Sequence, residues 1–119
     1  MNILIVEDEA IIALDLTMIL EDAGAAIAGT CHTVADGLVA ADGAIDAAIL
    51  DVDLHGELVF PVADRLAACG KPFVFHTGRL DKTVLRGRYG GDVPILEKPA
   101  MEGEIISALR RVVSRGGAM

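Results

Sequence analysis

Cysteine is scarce in this chain. Cys31 and Cys69 stand alone, with no CxxC pair and no cluster of Cys and His. The spacing of a zinc site is therefore missing, and two free thiols, buried or half-buried, are expected in place of a bridge. Long apolar runs are missing as well. A run such as Ile3 to Val6 is far too short to span a bilayer, and Met1-Asn2 lacks the basic start of a secretion signal. The expectation is a cytosolic protein that does not engage a membrane. Neither an internal repeat nor a low-complexity segment is present.

The first 64 residues contain no lysine or arginine, whereas thirteen of the eighteen acidic residues lie there, and the whole chain carries a formal charge of −8. That balance argues against direct contact with nucleic acid, whose phosphates select Lys and Arg surfaces. A chain of 119 residues is one domain. At this length it buries about two-thirds of its unfolded surface, enough for one core without disulfide or metal staples. Asp15, Glu21, Asp22, Asp36 and Asp42 read as solvated helix faces and loop tips, which leaves the question of whether the other acids converge.

Short apolar runs alternate with helical periodicity along the chain. Asn2 to Val6 reads as a strand buried on both faces. Glu7, Asp8 and Glu9 follow at once, and from Ala10 the residues Ile11, Ile12, Leu14, Leu16, Ile19 and Leu20 recur at helical spacing until Gly24 stops the helix. A second strand falls within Ala25 to Thr30 and a short helix within Val34 to Ala41. Ile45 to Leu50 forms a third strand that ends at Asp51. The loop through Asp53, His55 and Gly56 leads to a helix near Pro61 to Ala68. Phe73 to Phe75 is a fourth strand, closed by Thr77-Gly78. Between Leu80 and Tyr89 a helix with Leu80, Val84 and Leu85 as its apolar side is weakly specified, because Gly87 costs about 1 kcal/mol against Ala. Pro94 to Leu96 is the fifth strand, and Ile105, Ile106, Leu109, Val112 and Val113 mark the last helix. Glu102 and Glu104 near its start and Arg110, Arg111 and Arg115 near its end suit the helix dipole. Residues 116–119 read as a frayed tail.

Five strands alternating with five helices imply an α/β fold, a doubly wound parallel sheet covered on both faces by right-handed crossovers. Ligands of such sheets bind at the carboxyl ends of the strands where the strand order reverses. In the order 2-1-3-4-5 the reversal lies between strands 1 and 3, where Glu7, Asp8 and Asp51 would meet. Two carboxylates about 5 Å apart repel by about 3 kcal/mol at an effective dielectric near 20. Three of them need a proton or a cation, and a hard divalent ion such as Mg²⁺ suits oxygen ligands and keeps room for a phosphate oxygen. Taken singly, Asp8 could cap the first helix, Asp53 could form a turn, Thr77 could be a cap and Lys98 a surface cation. Asp51 is harder to dismiss, since a carboxylate ending the run Ala47-Ala48-Ile49-Leu50 is costly there unless compensated. Thr77 ends strand 4 and Lys98 ends strand 5, so both reach the same edge as the acids. A hydroxyl, an ammonium and an acid trio around one Asp compose a phosphoryl site with Asp51 as nucleophile.

In the ordered set Glu7-Asp8, Asp51, Thr77 and Lys98-Pro99 the sequence resembles the receiver domain of bacterial two-component response regulators, over residues 1–115. The resemblance implies the flavodoxin-like order 2-1-3-4-5 and a single receiver domain over residues 1–119. It implies that Asp51 accepts phosphate from a phosphohistidine on a histidine kinase or phosphotransfer protein. It further implies that Asp8 and Asp51 ligate Mg²⁺ directly, Glu7 through water and Asp53 through its backbone carbonyl. Thr77, Lys98 and the Gly78 amide would hold the phosphoryl group, and Lys98-Pro99 would be a cis peptide. Phe75-His76-Thr77-Gly78 and Pro94 to Pro99 look like the subgroup named for a Phe-Ala-Thr-Gly-type motif. There His76 replaces Ala, and Arg79 stands near the place of a Tyr. Ile95 occupies the position where many receivers carry an aromatic switch residue, so any relay would run through Thr77 and residues 80–91.

With no output domain after the last helix, the expected output is a protein target or onward transfer of phosphate. Two rival readings stay open. Asp51-Val52-Asp53 matches the nucleophile and acid spacing of haloacid-dehalogenase-like phosphatases, although the later acidic pair of that family is missing. A receiver-like module that binds partners without phosphorylation is the other.

Overall fold

The computed structural model describes residues 1–78 and 82–117, with the side chains of 116 and 117 left aside. Five strands form the main sheet: β1 (Asn2–Val6), β2 (Ala26–Cys31), β3 (Ala47–Leu50), β6 (Phe73–Thr77) and β7 (Ile95–Glu97). Between them run α1 (Ala10–Asp22), α2 (Val34–Ala41), α3 (Phe60–Ala68) and α4 (Lys82–Tyr89), and α5 (Glu102–Gly117) closes the chain. The sheet order is β2-β1-β3-β6-β7 and every pairing in it is parallel. This is the 2-1-3-4-5 order in which strand direction of growth reverses between the first and third strands.

Alternation along the strands divides the core in two, because successive side chains of a strand face opposite sides. Ile3, Ile5, Ala47, Ile49 and Val74 turn toward α1 and α5, where they meet Leu16, Leu20, Ile105 and Leu109. Leu4, Val6, Ala48, Leu50, Phe73 and Phe75 turn the other way, onto Val34, Val62, Leu66 and Leu85. Both faces of the sheet are thus covered, which explains why these strands are continuously apolar. All four aromatic residues of the chain gather on the second face: Tyr89 stands 5.3 Å from Phe73, 5.5 Å from Phe75 and 6.2 Å from Phe60 between ring centroids.

Several expectations need correction. Ile11 and Leu14 share the helical period of α1 but are 84% and 61% exposed, and the helix buries Ala13, Leu16, Ile19 and Leu20 instead. Cys31 is buried, but Cys69 is exposed because it follows the last turn of α3 as its C-cap. The loop after Asp51 contains a two-stranded antiparallel hairpin, β4 (Asp53–Leu54) and β5 (Glu57–Leu58), too short to leave a periodic trace. Helix α4 does form despite Gly87. Leu85 is its buried residue and Val84 is 44% exposed, while Arg79 and Leu80 lie outside the described residues. Helix α5 continues to Gly117, into what the sequence reads as a tail, and residues 118 and 119 lie outside the described part. The Lys98-Pro99 peptide is cis.

Candidate functional site

Two chain segments deliver three acids to the carboxyl edge of the sheet. Glu7 continues β1 by one residue, its N–H donating to Cys31 O at 2.8 Å, and Asp51 continues β3, its N–H donating to Val6 O at 2.8 Å. The adjacent strands therefore carry their pairing one step past the sheet and aim both side chains at one spot. Carboxylate oxygens of Glu7, Asp8 and Asp51 all lie within 4.8 Å of one another. Asp8 is not the cap of α1: Glu9 occupies that position, with no side-chain cap bond. Its Oδ2 instead accepts the N–H of His55 at 3.0 Å.

Lys98, at the end of β7, reaches back across the sheet edge. Its Nζ donates to Asp51 Oδ2 at 3.0 Å and stands 2.7 Å from Glu7 Oε1. The second contact is one of charge: Glu7 Oε1 is buried and has no aligned hydrogen-bond partner among the described residues. Glu7 Oε2 accepts the N–H of Glu9 at 3.1 Å. Burial, reinforced by the charge of Asp51, pushes the Glu7 carboxyl up to about 7 against the pull of Lys98 and the Glu9 N–H. Burial works to lower the Lys98 ammonium, yet Glu7 and Asp51 outweigh it and hold the group above its ordinary range. For Asp8, burial works upward, and hydrogen bonds with Glu7, the His55 N–H and Asp51 hold the carboxyl below its ordinary value.

Thr77 ends β6 fully buried, and its backbone carbonyl accepts the Lys98 N–H at 3.0 Å, which ties the ends of β6 and β7 together. A cleft of about 320 Å³ opens over these groups, lined by Asp8, Asp51, Asp53, Thr77, Gly78 and Lys98 together with Glu9, His55 and Gly56. Asp53 Oδ1 accepts the Gly56 N–H at 2.7 Å, so this side chain shapes the turn of the β4–β5 hairpin. His76 alternates to the other face of β6, where it is buried with neither ring nitrogen bonded among the described residues. Burial, with the charge of Lys98 adding to it and Asp51 and Asp15 opposing, lowers its pKa. A smaller cavity of about 100 Å³, lined in part by Asp15, His76, Lys98 and Ile105, adjoins it. The sequence reading missed His55 and Glu9 as cleft residues. The His55-Gly56 pair between two acids was the available signal for the turn that lifts His55 to the cleft.

The acid cluster tests well against a hard divalent cation. Its donors are all carboxylate oxygens, the three groups lie within 4.8 Å of one another, and one buried oxygen is held by charge alone.

A sheet of this order with its acids, hydroxyl and lysine on one edge defines a class of proteins, and the comparisons agree. SdrG from Sphingomonas melonis Fr1 is 46% identical over 94% of this chain and 95% of that one, with a TM-score of 0.80. A response regulator receiver protein from Sinorhizobium medicae WSM419 is 26% identical over 97% and 95% of the two chains, with a TM-score of 0.83. The REC domain of the Erythrobacter litoralis PhyR response regulator is 26% identical over 99% and 90%, with a TM-score of 0.76. No family model matches the chain, and no curated protein does. The chain belongs to the response regulator receiver family. No helix among the described residues is long and apolar enough to cross a membrane.

Proposed function

We propose that this protein is a Mg²⁺-dependent phosphoacceptor that receives a phosphoryl group on Asp51 from the phosphohistidine of a kinase or phosphotransfer protein and passes the signal to a protein target. The observation that carries this reading is the placement of Lys98 Nζ, 3.0 Å from Asp51 Oδ2, opposite the cluster of Glu7, Asp8 and Asp51. An Asp51 oxygen would form the new P–O bond while the P–N bond of the donor breaks and the imidazole leaves with the electron pair. Lys98 and Thr77 would then hold two of the phosphoryl oxygens and the Gly78 amide a third, each a donor already fixed at the cleft wall. Asp8, Asp51 and the Asp53 carbonyl, with Glu7 through water, would hold Mg²⁺, which when bound neutralises charge on the transferring group.

The reading makes the protein a self-modifying signalling domain without a separate substrate turnover. Labelling with a small phosphodonor or a cognate kinase in Mg²⁺ tests it. Asp51→Asn abolishes the label if the reading holds, and a label that survives the substitution refutes it. Steady hydrolysis of a phosphomonoester, with the protein recovered unmodified, would also refute it, in favour of a phosphatase.

A further inference from the structure

The β4–β5 hairpin turns in two residues, His55 and Gly56, with Asp53 paired to Leu58 and Leu54 to Glu57. Both turn residues have positive φ, 53° for His55 and 89° for Gly56. That is the type I′ geometry, which selects Asn-Gly or Gly-Gly because both central residues must adopt left-handed backbone. His55 is the one non-glycine residue with positive φ among the described residues. A side chain there strains the left-handed backbone, so the imidazole does not serve the turn. Nor does it serve the core, since the ring is 74% exposed. Its ring points at the cleft, with Nδ1 3.3 Å from Asp8 Oδ2, the same oxygen that accepts the His55 N–H at 3.0 Å.

We infer that His55 is a positioning residue for the cation: its N–H donates to Asp8 Oδ2 and its ring nitrogen lies against the same oxygen, fixing the carboxylate and leaving the other oxygen for metal. The inference rests on the reading of the cleft as a Mg²⁺ site and adds a residue to it from outside the acid cluster. Outer partners of this sort orient a ligand and commonly govern metal affinity by about 10–100-fold. Here the main-chain N–H persists in any variant, so loss of the ring alone weakens binding by about 3–10-fold.

Isothermal titration of Mg²⁺ at pH 8.0 into the full chain and two variants decides the matter. His55→Gly keeps the turn and removes the ring, whereas His55→Asn keeps the turn and places an amide N–H where Nδ1 stood. The Mg²⁺ dissociation constant rises about 3–10-fold in His55→Gly and stays within about twofold of the parent in His55→Asn, while thermal melts in EDTA show both variants folded. Equal affinity in all three proteins overturns the positioning role, and so does an equal loss in both variants. Failure of the unmodified protein to bind Mg²⁺ sinks the reading of the cleft itself, a result distinct from either of those.

Discussion

Lys98 and Asp51 are 47 residues apart in sequence and 3.0 Å apart in the fold, and the same ammonium lies 2.7 Å from Glu7. One cation therefore answers two buried carboxylates. Removing it by Lys98→Met leaves those acids uncompensated, and breaking a buried pair in this way costs about 3–5 kcal/mol. The part exposure of the lysine lowers that to an expected loss of about 2–3 kcal/mol in EDTA. Millimolar Mg²⁺ recovers part of the loss. Urea unfolding with and without Mg²⁺ measures both effects, and a Lys98→Met variant as stable as the parent in EDTA contradicts the argument.

Glu7 supplies a pH signature. Its carboxyl binds a proton more tightly in the fold, near pH 7, than in the unfolded chain, where 4.5 is ordinary. Between those values the native state holds more protons than the unfolded one, so metal-free stability falls as pH rises from about 5 to about 7 and levels off above. The full shift corresponds to a loss on the order of 3 kcal/mol. Glu7→Gln flattens the profile. The lowered Asp8 carboxyl acts oppositely, contributing stability that disappears as pH falls through the acid range below the ordinary carboxylate value. Denaturant melts in EDTA across pH 4 to 9 test both signs.

Tyr89 is the only tyrosine in a chain without tryptophan. Burial among Phe60, Phe73 and Phe75, then the hydrogen bond to Asp64, push its hydroxyl up to about 12 against the pull of Arg88. Phenolate absorbance near 295 nm should accordingly have its midpoint near 12 in the folded protein and near 10 in denaturant. The sign follows directly: stability conferred by the neutral phenol is present below pH 10 and lost as the pH climbs toward the folded value. A single midpoint common to both states contradicts the burial of this ring.

Two glycines in helices predict opposite responses to alanine. A Cβ on Gly37 of α2 would stand 3.0 Å from Val62 Cγ2, and Val62 is fully buried and stiff at χ1. Gly37→Ala should therefore destabilise by about 1 kcal/mol, the clash exceeding the helix-propensity gain. A Cβ on Gly87 of α4 meets nothing within 4 Å. Gly87→Ala should stabilise by about 0.5–1 kcal/mol. Urea midpoints of the two variants settle the comparison.

Strand alternation and strand-end residues carried most of the fold and much of the cleft in the linear sequence. Asn2 to Val6 was legible because Ile3 and Ile5 on one face and Leu4 and Val6 on the other make the continuous apolar run of a doubly covered strand, and Asp51 stood out because an acid ended such a run. The burial of α1 was not legible, since Ile11 and Leu14 keep the same period as Leu16 and Leu20 and only the sheet decides which stripe is covered. The β4–β5 hairpin escaped because two-residue strands have no period, and with it went the position of His55 at the cleft. Helix α4 overrode its own weak propensity by tertiary packing of Leu85 and Tyr89.

The counter-ion of the cleft arrives on an edge. Residues 1 to 64 bring β1, β3 and their acids without a single positive side chain, and β7, the outermost strand beside β6, is followed at once by Lys98. The ammonium stands beside Glu7 and Asp51 because β7 pairs along β6 and ends there. Completion of the sheet and charge compensation of its acidic corner are thus the same structural fact, so damage to that last strand strips Glu7 and Asp51 of their ammonium.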